Sequence, residues 1–338
     1  MSHDKLTNNE TVLIVNPNSG GGATGKNGES LYNQIKKILG ENPEVVFSQT
    51  SGDGTTLTRD FLRKGFRKII ALGGDGTINE VANGFFEEIT SENNDRDMPV
   101  LKPINAEAIL GILPSGSRNV LAKSLNLPEG IVECCQRFVS VKPQKIDVIA
   151  ARVTTTPPSV PKKDHSKTIA RLFLNAAELG VGAEIIDRSK EIRGKIKSRL
   201  ISTISSVIAT IPTYESNLCN VSIDDGESLL LKMTMGIVAN GMYLGGGFKG
   251  APYASISDGL LDITILKNSG SLKMLNEFVI MKNEVVGPRP DNDISYFQAK
   301  KVAIESKERD ITVTIDGEPI GILPATFQVY RNALSVKF

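Results

Sequence analysis

The chain has 338 residues with a formal net charge of +1, 40% hydrophobic and 23% charged residues, and an aromatic share of 5% without Trp. That length exceeds what one core usually supports and predicts two domains, while the globular composition excludes disordered and fibrous classes. So small a charge offers no general field to a polyanion, so no nucleic-acid partner is expected and any phosphate must be met by a local site.

The first ten residues, Met1 to Glu10, are polar and lack the apolar stretch of a secretory signal, which predicts a cytoplasmic location. Short β-branched runs then alternate with helical patterns. Strands are predicted at Val12–Val15, Val45–Phe47, Lys68–Leu72 and Ala108–Leu113, and helices at Glu29–Leu39, Thr55–Lys64 and Ile78–Glu88. This rhythm predicts an α/β domain over residues 1–142, built as a doubly wound parallel sheet.

From residue 143 to 338 the texture is mostly β, with alternating runs at Ile146–Val153, Ile169–Asn175, Asn220–Ile223, Leu229–Val238, Asp262–Leu266, Lys301–Ser306 and Ile311–Ile315. An antiparallel, sandwich-like second domain is expected. A helical stretch from Ala183 to Thr210 interrupts it, and Pro157–Lys167 reads as an exposed loop. The most apolar helical segment, Arg199–Ile211, is broken by four Ser or Thr residues and is far short of the roughly 20 residues that span a bilayer.

Cys134, Cys135 and Cys219 have no metal-ligand spacing and read as buried thiols in a reducing compartment. His3 and His165 are the only histidines, which argues against a His base or a His metal site. The basic run at Arg188–Arg199 could face anionic headgroups, although a solvated helix face explains it as well.

Three loops carry the chemistry. Strand Val12–Val15 runs into Asn16-Pro17-Asn18-Ser19-Gly20-Gly21-Gly22, where backbone N–H groups can approach a phosphate because no Cβ intervenes. The Gly-Lys-Ser/Thr ending of a P-loop is missing. Strand Lys68–Leu72 ends in Gly73-Gly74-Asp75-Gly76-Thr77, followed by a helix through Asn79 and Glu80. A carboxylate among phosphate-binding glycines repels the ligand unless it holds Mg²⁺ or accepts a proton, so Asp75 is either part of the chemistry or a cap on its own helix. The third loop, Pro114-Ser115-Gly116-Ser117-Arg118-Asn119, repeats the strand–turn–helix arrangement. Three such loops at the ends of parallel strands predict one convergent phosphate site.

These loops resemble the diacylglycerol kinase catalytic-domain family, which includes bacterial lipid kinases and sphingosine kinases and is distantly similar to NAD kinases. The resemblance extends to Asn240-Gly241 with Gly245-Gly246-Gly247, to Asp258-Gly259-Leu260-Leu261-Asp262 and to Asp316-Gly317-Glu318, and so covers nearly the whole chain. It implies a two-lobed fold with the active site in the cleft and an ATP site lined by Asn16, Pro17, Asn18, Ser19, Gly20, Thr50, Gly74, Asp75, Gly76, Thr77, Ile78, Asn79, Glu80 and Ser117. ATP and Mg²⁺ are the implied cofactors and a lipid alcohol, diacylglycerol or sphingoid-like, the implied partner, met at a peripheral membrane surface. A homodimer is also expected.

The resemblance maps the general base to Asp316, with Glu318 beside it, on the bacterial pattern, and to Asp75 on the sphingosine kinase pattern. Asp316 is favoured as base and Asp75 as organiser of nucleotide and metal. A plain hairpin turn is the alternative for Asp316, as it is for the similar Asp225-Gly226-Glu227. Asp258 matches a structural Mg²⁺ position, but Val120 stands where the bacterial pattern has a second carboxylate. An NAD kinase-like phosphotransferase is a second reading. Val120, together with a last strand stopping at Phe338, keeps open a third, a nucleotide- or lipid-binding regulator without turnover.

Overall fold

A computed structural model describes residues 10–26, 28–88, 98–155, 167–182, 184, 185, 214–267 and 294–338. The chain divides into two compact units, one formed by Met1–Glu88, Leu101–Ile146 and Ala333–Phe338, the other by Ile89–Val100 and Asp147–Asn332. The expected helical stretch after Ala183, the basic run Arg188–Arg199, both histidines and nearly all of the Pro157–Lys167 loop lie outside the described residues.

In the first unit, strands β1 (Thr11–Val15), β2 (Glu44–Phe47), β3 (Lys68–Gly73) and β4 (Ile109–Pro114) pair in parallel in the order β4-β3-β1-β2. All five residues of β1 are buried, as a central parallel strand covered on both faces requires. Leu13, Val15, Ile70, Leu72 and Leu113 form one cluster with Ile35 of helix α2 (Gly28–Leu39) and Cys134, Cys135 and Phe138 of helix α6 (Ile131–Ser140). Each such fully buried Leu, Ile or Phe contributes about 1.5–3 kcal/mol. Helices α3 (Asp53–Arg63) and α4 (Asp75–Asn83) pack on each other and on β1 and β3.

Two short helices complete the unit, α1 (Ala23–Lys26) and α5 (Val120–Ser124). Sequence reading missed α6: it opens on Gly130 without a side-chain cap and is rich in β-branched and Cys residues of modest helix propensity. Its identity as a helix comes from packing, since Cys134, Cys135 and Phe138 fill one buried face. Helix α4 begins three residues before the expected Ile78 and ends five before Glu88. The reason at its far end is close approach, because a Cβ on Gly84 would lie 2.4 Å from Thr58 Cβ.

The second unit contains β5 (Gln144–Thr155, from Asp147 on), β6 (Lys167–Phe173), β7 (Ala176–Gly180), β8 (Asn217–Ile223), β9 (Ser228–Ala239), β10 (Leu261–Lys267), β11 (Ile294–Ala299), β12 (Lys301–Ser306), β13 (Thr312–Ile315) and most of β14 (Glu318–Lys337). Its pairings are antiparallel. Followed by hydrogen bonding, β8, β9, β7, β13, β14 and β12 return to β8. The ring closes because two long strands change partners along their length. Strand β9 pairs with β8 over Ser228–Met233 and with β7 over Met235–Ala239. Strand β14 pairs with β13 near Glu318–Ile322 and with β12 over Ala325–Gln328.

Inside lie Ile149, Val153, Phe173, Val221, Val238, Ile263, Ile304, Val313 and Phe327, all buried. The stretch Ile169–Asn175, expected as one strand, breaks at Leu174 and Asn175 into β6 and β7. Strands β11 and β14 escaped the sequence reading. In β14, Pro319, Pro324, Gly321 and an Asn332 at φ 54° disrupt the alternation by which strands are recognised. The final residues of β14 add in parallel beside β4, through Val336 and Leu110, and belong to the first unit. All three cysteines are buried free thiols, as expected.

Candidate active site

The three glycine-bearing loops of the first unit meet. Asn16 donates its backbone N–H to Leu72 O at 3.0 Å and its Nδ2 to Thr77 Oγ1 at 3.0 Å, tying the first loop to the second. Asn16 Oδ1 in turn accepts from the Asn18 N–H at 3.0 Å, which shapes the Pro17 turn. Ser19 Oγ lies 2.7 Å from Ser115 Oγ and 2.7 Å from Thr24 Oγ1, tying the first loop to the third. The second and third loops touch through backbone: a Cβ on Gly116 would stand 2.4 Å from Gly74 Cα. Gly20, Gly21 and Gly22 have φ of 61°, 71° and 86°, and Cβ positions on Gly21 and Gly22 face open space. A concave run of backbone with room in front of it fits an anion such as a phosphate chain.

The second loop is shorter than its sequence implies. Gly74 is the extended N-cap of α4, so Asp75, Gly76 and Thr77 form the first helical turn, and the ladder starts only with Ile78 N–H to Gly74 O at 3.0 Å. The amides before Ile78 therefore have no acceptor within the helix and add to the positive end of its dipole. Ile78 itself is buried in the core, whereas Asn79 and Glu80 are half-buried. Ser117 is exposed on the third loop.

The carboxylate of Asp75 does not cap its own helix. Its Oδ1 accepts from the Leu121 N–H at 3.2 Å, and so caps α5 across the gap between second and third loops. Burial raises its pKa above the ordinary aspartate value, outweighing the opposing effects of the Leu121, Val120 and Asn119 amides and of the Arg118 charge. Glu80 acts in the same way on another helix: its carboxylate accepts from Gly52 N–H at 2.8 Å and Gly54 N–H at 3.1 Å, covering the start of α3. Thr50 is held by a residue that sequence reading overlooked. Asp53 accepts from the Thr50 N–H at 2.8 Å, from its hydroxyl at 2.9 Å and from the Gln49 N–H at 2.7 Å, which hold the Asp53 pKa below its usual value. An Asp at the first position of a predicted helix was the available signal.

In the second unit Asp316 and Gly317 are the two central residues of the β13–β14 hairpin, with φ of 46° and 85°. The turn is therefore real, yet the Asp316 side chain does more than shape it. Its Oδ2 accepts from the Leu174 N–H at 3.3 Å, and its Oδ1 from the Asn175 and Ala176 N–H groups at 3.2 and 3.1 Å. Glu318 follows, exposed, at the start of β14. The look-alike Asp225-Gly226 is built differently, because there Asp224 and Asp225 are the central pair, with φ of 48° and 59°. Asp224 Oδ1 accepts from the Lys300 and Lys301 N–H groups, and Asp225 pairs with Lys301 Nζ at 2.8 Å.

Two further residues of this unit were not given roles by sequence reading. Asp147, fully buried, accepts from Gly259 N–H and Asn332 N–H, each at 2.6 Å. Burial and the neighbouring Asp258 charge raise its pKa. Asn240 is also fully buried and donates Nδ2 to Leu174 O at 2.9 Å and to Asp147 O at 3.2 Å. A polar side chain inside an apolar strand pattern was the signal for both.

Asp258 Oδ1 accepts from Leu260 N–H at 3.0 Å within its own turn. Among the described residues no group of three or more His, Cys, Asp or Glu side chains is arranged to hold a metal ion, so this donor set does not fit a protein-held cation. Nor is any described helix long and apolar enough to cross a membrane.

Comparison with known proteins bears directly on these loops. Residues 10–151 match the model of the diacylglycerol kinase catalytic domain, and residues 176–338 that of the YegS C-terminal NAD kinase beta sandwich-like domain. A "Probable lipid kinase YegS-like" protein of Chromohalobacter salexigens is 28% identical over 282 residues, covering 83% of this chain and 78% of the relative. A diacylglycerol kinase of Bacillus subtilis is 26% identical over 331 residues, 95% of this chain and 93% of its own. The fold is shared with solved structures from Bacillus anthracis str. Sterne. One, 23% identical, superposes with a TM-score of 0.73 and covers 98% of this chain and 97% of that one. With both halves matched in order, the chain belongs to the diacylglycerol kinase catalytic-domain family and carries that family's strand-rich, NAD kinase-like C-terminal domain.

Proposed function

We propose that the protein is an ATP-dependent lipid kinase that transfers the γ-phosphoryl group to a hydroxyl of a diacylglycerol or sphingoid-like lipid. The observation that carries this reading is the junction of three backbone-rich loops in the first unit, where Ser19 meets Ser115 and Gly74 meets Gly116. The amides of Gly20–Gly22 and the first turn of α4 receive the phosphates, with Asn16, Thr50 and Ser117 around them. Asp75 and Glu80 act from behind, capping α5 and α3 so that the loops keep their spacing.

The Mg²⁺ that accompanies ATP supplies neutralisation of the phosphate charge. The second unit presents the lipid. Three amides hold the Asp316 carboxylate in one orientation, from which it accepts the proton of the lipid hydroxyl as that oxygen bonds to phosphorus and the bond to ADP breaks. Glu318, two residues on, completes the acidic turn.

The test is phosphorylation by the purified protein with labelled Mg-ATP and mixed micelles of diacylglycerol, sphingoid bases and other lipid alcohols, with NAD as a separate acceptor. Labelled lipid phosphate is expected, with a loss of about 10²-fold or more in Asp316→Asn. Label in NAD alone, or ATP bound without any product, refutes the lipid kinase reading.

A further inference from the structure

Asp316 is held by a segment with no side-chain chemistry of its own. The N–H groups of Leu174, Asn175 and Ala176 all point to its carboxylate, and its own N–H donates to Ala176 O at 2.9 Å. This three-residue bend between β6 and β7 therefore fixes where the carboxylate sits. The carbonyls on its other side are held by a single residue. Asn240 Nδ2 takes Leu174 O at 2.9 Å, while the N–H groups of Asn240 and Gly241 both take Asn175 O, at 2.8 and 3.0 Å. The second Nδ2 proton goes to Asp147 O at 3.2 Å, anchoring Asn240 to β5.

From this clamp we infer that Asn240 is a positioning residue for Asp316, acting through the Leu174–Ala176 bend; the inference rests on the role of Asp316 in the proposed reaction. The chemistry of the side chain fits the task. Asn240 is fully buried, and its Oδ1 has no hydrogen-bond partner among the described residues. Burying an amide with its acceptor unmatched is unfavourable, and a leucine of similar size avoids that cost. What the position requires is thus the NH₂ group, a neutral double donor facing two carbonyls. Aspartate, nearly isosteric, would set oxygen against both carbonyl oxygens, and serine could satisfy one at most. No other side chain with a printed hydrogen bond to the bend reaches its carbonyls; Asn175 Nδ2 donates away from it, to Tyr243 O at 2.9 Å.

The experiment compares the whole chain with Asn240→Ser and Asn240→Asp. Amide hydrogen exchange at Leu174, Asn175 and Ala176 should quicken by about tenfold or more while the rest of the unit keeps its protection. The ¹³C-carboxyl resonance of Asp316 should move, together with its titration midpoint. Lipid kinase kcat should fall by about 10- to 10²-fold with KM for ATP unchanged. Because these variants can fail to fold, the reciprocal measurement leaves position 240 intact: Asp316→Ala should shift the Asn240 side-chain NH₂ resonances. An unmoved Asp316 carboxyl signal in a folded Asn240 variant, or unmoved Asn240 resonances in Asp316→Ala, overturns the inference. If the wild-type protein phosphorylates no lipid, the proposed function fails, while the exchange and resonance measurements still decide the clamp.

Discussion

Gly116→Ala tests whether the second and third loops must touch for nucleotide to bind. The added Cβ would lie 2.4 Å from Gly74 Cα and 2.7 Å from Asn119 Oδ1. An ordinary carbon–carbon contact is about 3.5–4.0 Å, so the two loops must separate by roughly 1–1.5 Å. Rotation of a side chain cannot relieve the clash, because the nearest atom is backbone. Overpacking of this kind costs about 1–3 kcal/mol, and a displacement near 1 Å of positioning groups costs about 10²-fold in rate. Calorimetric titration with a non-hydrolysable ATP analogue, alongside urea unfolding, separates the two effects. Gly40→Ala is the control: it also sits at positive φ, 67°, but its Cβ meets nothing within 4 Å and it lies at the end of α2, away from the loops. The expected result is a stability loss in both variants and a loss of nucleotide affinity in Gly116→Ala alone. Unchanged affinity in a folded Gly116→Ala protein would refute the argument that contact between these loops builds the site.

Two other substitutions probe the residues behind the loops. Asp75→Asn keeps an acceptor for the Leu121 N–H but removes a buried charge. Because burial raises the Asp75 pKa in the folded state, that state binds the proton more readily than the unfolded chain, and stability is lost as pH rises from the ordinary value of 3.8 through the folded pKa. The variant should therefore gain on the wild type in thermal unfolding as pH rises through that window; a gap that widens as pH falls contradicts the assignment. Glu80→Ala removes the acceptor for Gly52 and Gly54 N–H, and should cost about 0.5–2 kcal/mol in urea unfolding while weakening nucleotide binding through the Thr50 loop. Unaltered stability would show that these bonds contribute nothing.

Much of the first unit was legible because parallel strands buried on both faces leave continuous apolar runs, as at Val12–Val15, and glycine clusters mark their ends. The three loops could be found by composition, but how they join could not: the Ser19–Ser115 bond spans 96 residues, and Asp75 caps a helix 45 residues away. Asp316-Gly317 and Asp225-Gly226 look alike in sequence, and only the partners of their carboxylates separate them. Strand β14 was illegible because its prolines and a left-handed Asn332 hide a continuous pairing that only its neighbours define. Asn240 illustrates the same limit, since its importance lies in two carbonyls far along the chain.

The most direct measurement is amide exchange, residue by residue, with and without a non-hydrolysable ATP analogue and Mg²⁺. Protection should rise at Gly20–Gly22, at Gly74–Thr77 and around Ser117, with little change on the outer face of α6. Protection confined to other segments, with these amides unaffected, would contradict the account that three joined loops form the phosphate site.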